Sequence, residues 1–233
     1  MAKPQTLTVV MPVFNERATL RASIDRALKA DLPLPIEMLV VDDGSSDGSL
    51  DDISDLVDGK RVRALRHTRN RGKGAAIRTG ITLATGDLLT ILDADLEYDP
   101  ADYREMLEPI LAGEARVSYG TRAFGAHTAF SFWYVMGNKL VNLWASLLFD
   151  AWLTDVYTCF KMAHTDIWRR LQLRCDGFAI EAEATARFLM LGERIYEVPI
   201  SYRARGRIEG KKIRAKDGLE GLLVLARLRA LGH

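Results

Sequence analysis

Val40–Ser49 reads VVDDGSSDGS and Leu92–Glu97 reads LDADLE. Each stretch begins as a β-branched or Leu-rich run and breaks abruptly into aspartates. A buried strand that ends in carboxylates delivers them to the carboxyl edge of a parallel sheet, where α/β folds hold their ligands. Carboxylates gathered at one edge repel one another unless a cation sits among them. The two stretches therefore predict an α/β fold with a metal-assisted site for a nucleoside diphosphate.

The remaining chain supports that frame. Its 233 residues fit one large α/β domain, and 48% hydrophobic with 27% charged residues is ordinary for a globular protein. The formal net charge of +1 gives no reason to expect nucleic acid. Charge is unevenly spread, acidic over Asp42–Asp58 and basic over Arg203–Lys216. Cys159 and Cys175 have no Cys or His partner at ligand spacing and read as packed thiols. The longest apolar candidate, Leu140–Leu153, is interrupted by Asn142, Ser146 and Asp150, so no membrane-crossing helix is expected.

Strands and helices alternate from the start. Leu7–Met11, Met38–Val41, Val62–Arg66, Leu88–Leu92 and Val117–Tyr119 read as strands. Helices are predicted over Glu16–Ala30, Asp47–Val57 and Gly74–Ala84, and another opens at Asp99-Pro100 with an N-cap acid and a first-position proline. That rhythm implies right-handed parallel crossovers and a doubly wound, mostly parallel sheet with helices on both faces. After Phe124 it changes to a long aromatic-rich amphipathic stretch, Ala129–Leu153, then Cys159–Ala163, a helix near Glu181–Leu191, a short strand at Arg194–Val198 and a final amphipathic helix, Leu219–Leu231. We read residues 1–233 as one domain: a nucleotide half (1–123), an acceptor half (124–213) and a C-terminal helix (214–233).

Individual motifs assign chemistry. In Pro12-Val13-Phe14-Asn15-Glu16 the proline stops a strand, Phe14 offers a ring to a base, and Glu16 can accept from a base or ribose hydroxyl. Of Asp42 and Asp43, one can turn outward to ribose or base. Asn70-Arg71-Gly72-Lys73-Gly74 precedes a helix, so its backbone N–H groups and Lys73 can bind an anion. Asp93, Asp95 and Glu97 alternate along a segment that, if extended, points all three the same way. Hard oxygen donors suit Mg²⁺ or Mn²⁺. Arg122 follows another strand end, and Arg205, Arg207, Lys211 and Lys212 form a dense basic run suited to phosphate. Phe130–Val135 with the leucines and tryptophans of 140–152 is either core, a groove for a lipid chain, or a face resting on a bilayer.

Taken in order, PVFNE, VDDGSSDGS, NRGKGAAIRTG, DADLEYDP, YGTR, TCFK and YRARGRIEGKKI resemble the family 2 glycosyltransferases of GT-A fold. Within that family the chain looks most like the dolichol- or polyprenyl-phosphate sugar synthases, from Leu7 to about Ile213. The resemblance implies an inverting hexose transfer from a nucleoside-diphosphate sugar, GDP-mannose or a UDP-sugar, to a lipid phosphate. It implies base and ribose contacts at Pro12, Phe14, Glu16, Val40 and Asp42, and ribose or diphosphate contacts at Asp93 and Ala94. It further implies metal ligation by Asp95 and Glu97, and phosphate contacts at Arg122, Arg205 and Lys212. Glu97 stands where some relatives have Gln. Many relatives add C-terminal membrane helices, so a cytoplasmic chain, peripheral at the inner face of the membrane or held by a membrane-protein partner, is expected.

Two other functions fit the same residues. A transferase acting on a soluble or polysaccharide hydroxyl would need a general base, for which Asp155, Glu181 and Glu183 are the acceptor-half candidates. A non-catalytic nucleotide-sugar-binding module could dock a membrane partner through its aromatic face, although binding alone does not need three carboxylates.

Overall fold

The computed structural model describes residues 3–124, 132–204 and 215–232. Seven strands form one sheet: β1 (Leu7–Val13), β2 (Ile36–Asp42), β3 (Val62–Arg66), β4 (Leu88–Ile91), β5 (Val117–Thr121), β6 (Lys161–His164) and β7 (Ile195–Pro199), in the order β3-β2-β1-β4-β6-β5-β7. β1 pairs in parallel with both β2 and β4, and β5 with β7, while β6 runs antiparallel between β4 and β5. β1 and the Met38–Asp42 part of β2 are almost wholly buried, which is why they read as near-continuous apolar runs rather than alternating ones.

This order fixes the site. From β1 the chain moves to β2 and β3 on one side, then crosses back to β4 on the other. The gap between the carboxyl ends of β1 and β4 is thus a topological switch point, the crevice where such sheets receive ligands. Because β6 is reversed, its first residue, Lys161, arrives at that same edge, paired in register with Tyr119.

The helices are α1 (Arg17–Lys29), α2 (Lys73–Leu83), α3 (Tyr103–Leu111), α4 (Phe132–Phe149), α5 (Thr165–Arg170), α6 (Ile180–Met190) and α7 (Ala215–Leu231). The expected helix over Asp47–Val57 is only a 3₁₀ turn at Asp51–Ile53. The Asp47 carboxylate caps elsewhere, accepting from the backbone N–H of Ser49 and of Arg17. Asp99 does cap as expected, its Oδ1 accepting from Ala101 N–H at 3.1 Å.

α4 has a mixed inner face, with Val141 and Ala145 buried in an apolar cluster beside a polar row. Asn138, Asn142 and Ser146, spaced four apart, face inward and bond the 153–156 loop through Asp155 Oδ1, the Thr154 carbonyl, Val156 N–H and Leu153 N–H. Its exposed residues include Phe132, Met136, Leu140, Leu143 and Leu147. The expected stretch Ala129–Leu153 starts partly outside the described residues. No described helix is long and apolar enough to cross a membrane.

α2 lies directly on β1, since a Cβ at Gly80 would sit 2.3 Å from Val10 Cγ1. Gly80→Leu should therefore lower the unfolding free energy by about 1–3 kcal/mol, read from a chemical denaturation midpoint. An unshifted midpoint would show that α2 has room to move off the sheet.

Candidate active site

A cleft of about 280 Å³ opens over the switch point. β1 runs past the proline expected to stop it, to Val13; the cleft walls are Pro12 of β1, Phe14 and Glu16 just after it, Asp93, Ala94, Asp95 and Glu97 after β4, Lys73 on α2, Arg122 after β5, Glu181 on α6, and Tyr202. Most residues marked in the sequence thus meet in one place. Val40 and Asp42 do not line it. Val40 lies in the core of β2, and the fully buried Asp42 accepts from Ser45 N–H at 2.9 Å and from Arg66 Nε at 2.7 Å. Arg205, Arg207, Lys211 and Lys212 lie outside the described residues.

The glycine-rich loop before α2 does not offer the backbone donors expected of it. Arg71 and Gly72 N–H groups donate to the carboxylate of Asp43, at 2.6 Å for Gly72, and His67 Nδ1 lies 2.7 Å from the same carboxylate. Gly74 and Ala75 N–H groups donate to the Asp176 carbonyl. Hence the anion seated in this loop is the chain's own Asp43. Gly72, at φ +100°, has no room for a side chain against the Asp176 carbonyl.

Lys73 crosses the cleft wall to Asp93, 2.8 and 2.9 Å from its two oxygens, and lies 3.2 Å from Glu181 Oε1. Burial opposes its charge, but Asp93 and Glu181 outweigh that and push its pKa well above the ordinary lysine value. The DADLE segment is a turn rather than extended. Leu96 sits in the left-handed region at φ +63°, and Asp95 Oδ1 accepts from Glu97 N–H at 3.2 Å. All three acids still line the cleft. A left-handed leucine is unusual and persists only when its surroundings hold it. Part of that hold is visible. Tyr202 donates its hydroxyl to Glu97, Arg203 N–H donates to the Glu97 carbonyl at 2.9 Å, and Tyr98 bridges Tyr202. Sequence reading passed over Tyr98 and Tyr202, although each lies inside a quoted motif.

The three candidate bases have different surroundings. Asp155 is gripped by Arg122 through N–H, Nε and Nη2 at 3.1, 2.7 and 2.7 Å. Burial works to raise its pKa, and Arg122 overrides that and holds it below the ordinary aspartate range. Glu183 accepts from Arg174 and Cys175 N–H groups and from Arg187 Nε. Neither lines the cleft. Glu181 does, with Oε2 accepting from Lys161 Nζ at 2.7 Å. Lys161 has no exposure, and burial pulls its pKa down while Glu181 works against that. The motif TCFK contained Lys161, but nothing local in it signals a partner twenty residues away.

The sequence profile of Glycosyl transferase family 2 matches residues 8–167, well over half the chain. The chain belongs to this family. Among its family 2 relatives, the polyprenol monophosphomannose synthase of Mycolicibacterium smegmatis is 28% identical over 243 residues, covering 96% of this chain and 91% of that protein. The dolichol-phosphate mannosyltransferase of Pyrococcus furiosus is 26% identical over 95% of this chain and 63% of its own length. An undecaprenyl-phosphate 4-deoxy-4-formamido-L-arabinose transferase of Aeromonas hydrophila is 39% identical over 46% of this chain, which spans about a third (34%) of that relative. Glucosyl-3-phosphoglycerate synthase from Mycobacterium tuberculosis, solved with Mn²⁺, UDP-glucose and phosphoglyceric acid, superposes with a TM-score of 0.72 at 19% identity, over 97% of this chain and 80% of that one. The fold is the GT-A glycosyltransferase fold of that family.

Removing one partner of the buried Arg122–Asp155 pair leaves an uncompensated charge. Asp155→Asn should lower stability by about 3 kcal/mol near neutral pH. The wild-type carboxylate is below its ordinary pKa when folded, so its contribution is present above that ordinary value and fades as pH falls through the lower folded one. Denaturation at a series of pH values should show the penalty flat from pH 8 to 5 and shrinking only below about pH 4. A penalty that shrinks already near pH 6 would contradict the assignment.

Proposed function

We propose that this glycosyltransferase moves a hexose from GDP-mannose or a UDP-sugar to the phosphate of a polyprenyl or dolichyl phosphate, inverting the anomeric centre. The observation that carries this reading is the commitment of all three candidate bases of the acceptor half. Asp155 is held by Arg122, Glu183 by Arg187 and two amides, and Glu181 by two ammonium groups. A hydroxyl acceptor needs a base to remove its proton, whereas a lipid monophosphate arrives already anionic. The polyprenyl- and dolichyl-phosphate acceptors in the names of the Mycolicibacterium and Pyrococcus relatives support the same class.

The donor half is furnished for a nucleotide. Phe14 and Pro12 offer apolar surface for the base, Glu16 a carboxylate for a hydroxyl or ring N–H, and Asp93 with Ala94 the approach to ribose and diphosphate. Val40 and Asp42 would act from beneath, shaping that floor. Among the described residues no three His, Cys, Asp or Glu side chains are gathered for a metal. Asp95 and Glu97 nevertheless supply two hard oxygen donors on one turn of the cleft, which fits Mg²⁺ or Mn²⁺ completed by diphosphate oxygens and water. Bound there, the ion would supply positive charge where the departing nucleoside diphosphate gathers negative charge. Lys73 and Arg122 add fixed positive charge around the diphosphate, and Arg205, Lys211 and Lys212 would hold the acceptor phosphate through charge-assisted hydrogen bonds.

An apolar-tailed acceptor calls for a surface that meets a bilayer. Trp144 of the same helix donates to the Leu222 carbonyl of α7, and Trp144, Trp152, Leu219 and Leu223 are exposed as well. Exposed large apolar side chains in such number suit an interaction surface, and we assign them to peripheral contact with the inner face of a membrane.

Two measurements test the reading. Asp95→Ala should cut transfer of radiolabelled hexose into an organic-extractable product by about 100-fold, with an unchanged circular dichroism spectrum; full metal-supported transfer in that variant would end the assignment of Asp95 as a ligand. Replacing Leu140, Leu143 and Leu147 together by Gln should weaken co-sedimentation with anionic phospholipid vesicles about tenfold or more. Equal partitioning of wild type and variant would remove α4 from the membrane contact.

A further inference from the structure

Glu181 lies where a base would be dangerous. It is the one acceptor-half candidate on the cleft wall, beside Lys73 and Asp93. Its Oε1 is buried, carries no hydrogen bond, and faces the Lys73 ammonium at 3.2 Å. If Glu181 were free to take a proton, water could attack the donor. The water oxygen would bond the anomeric carbon and its proton would pass to a Glu181 oxygen. The bond from that carbon to the diphosphate would break, its electron pair leaving with the nucleoside diphosphate. The products would be free hexose and nucleoside diphosphate, a waste of donor.

We infer that Lys161, together with Lys73, sets acceptor specificity by keeping both oxygens of Glu181 engaged, so that this carboxylate activates neither water nor a hydroxyl acceptor and the cleft suits a nucleophile that arrives anionic. Lys161 is fully buried and its three ammonium hydrogens have three acceptors: the Val156 carbonyl at 3.0 Å, the Thr158 carbonyl, and Glu181 Oε2 at 2.7 Å. The ring of Tyr119 lies 5.0 Å beneath it. Turning Glu181 away from Lys161 to meet a water would strand that buried cation on neutral carbonyls, which is strongly unfavourable. It would also have to occur beside the second ammonium, Lys73. The antiparallel placement of β6 brings Lys161 to this edge, so the device is part of the fold rather than of a loop.

The inference rests on the lipid-phosphate reading above, and the test separates the two. Purified wild type, Lys161→Met and Lys161→Met/Glu181→Gln are given GDP-mannose or UDP-glucose with Mg²⁺, with and without polyprenyl phosphate. Free nucleoside diphosphate and organic-phase label are both measured. The ratio of hydrolysis to transfer is expected to rise about tenfold or more in Lys161→Met, within what a positioned general base contributes, and to return to the wild-type value in the double variant. Lys73→Met, which removes the ammonium at the cleft wall, is measured in parallel and should raise the ratio in the same direction even where Lys161→Met does not fold. A folded Lys161→Met or Lys73→Met enzyme with the wild-type ratio overturns the inference, as does hydrolysis that persists without Glu181. A wild type that labels no lipid phosphate overturns the acceptor assignment instead.

Discussion

Carboxylates delivered to one edge of a sheet must each be neutralised, and the whole site is arranged around that requirement. Asp42 is answered by Arg66 of β3, Asp43 by His67 and the amides of the glycine-rich loop, and Asp93 by Lys73 of α2. Asp155 is answered by Arg122 beyond β5 and Glu181 by Lys161 of β6. In nearly every case the counter-charge comes from a different secondary element. Electrostatic need therefore doubles as mechanical cross-linking, since a buried carboxylate that loses its partner is far more costly than the pair is favourable. The cleft keeps its shape because its charges cannot separate.

Much of this was legible in the chain. Strands ending in acids named the edge, and the alternation of strands and helices named the sheet. Asp99-Pro100 gave a cap that forms as read. What failed did so for one physical reason: local pattern does not reveal which distant group satisfies a donor or acceptor. Asp47 reads as the cap of a helix to Val57, yet its carboxylate accepts from the Ser49 and Arg17 N–H groups, leaving only a 3₁₀ turn. The glycine-rich loop reads as an anion nest, and it is one, but Asp43 already occupies it. The alternation in DADLE suggested an extended segment, whereas Leu96 turns left-handed because the Tyr98–Tyr202 bridge and Arg203 hold the turn from outside. Lys161 carried no local sign at all.

The reversed strand β6 illustrates how topology creates chemistry. A fully parallel sheet would bring only strand ends to the crevice, and no strand end here carries a lysine. An antiparallel strand inserted between β4 and β5 brings a strand start, and with it a buried lysine flanked by Thr158, Phe160 and Tyr119. A cation can thereby sit deeper than any loop could place it, under the floor rather than on the wall.

The mixed inner face of α4 follows from the same constraint. The 153–156 loop carries Asp155, and its backbone groups need partners that β-pairing does not provide. Asn138, Asn142 and Ser146 supply them, beside the buried Val141 and Ala145. With part of the inner face given to polar groups that support Asp155, and through it Arg122, a stripe of Leu140, Leu143 and Leu147 is left outward. Such a face is unfavourable in water and favourable against hydrocarbon. On the proposed reading, the acceptor brings its phosphate to the cleft and its tail to the bilayer. The surface that the site leaves outward is then the surface the substrate requires, and one structural solution serves both the charge inside and the lipid outside.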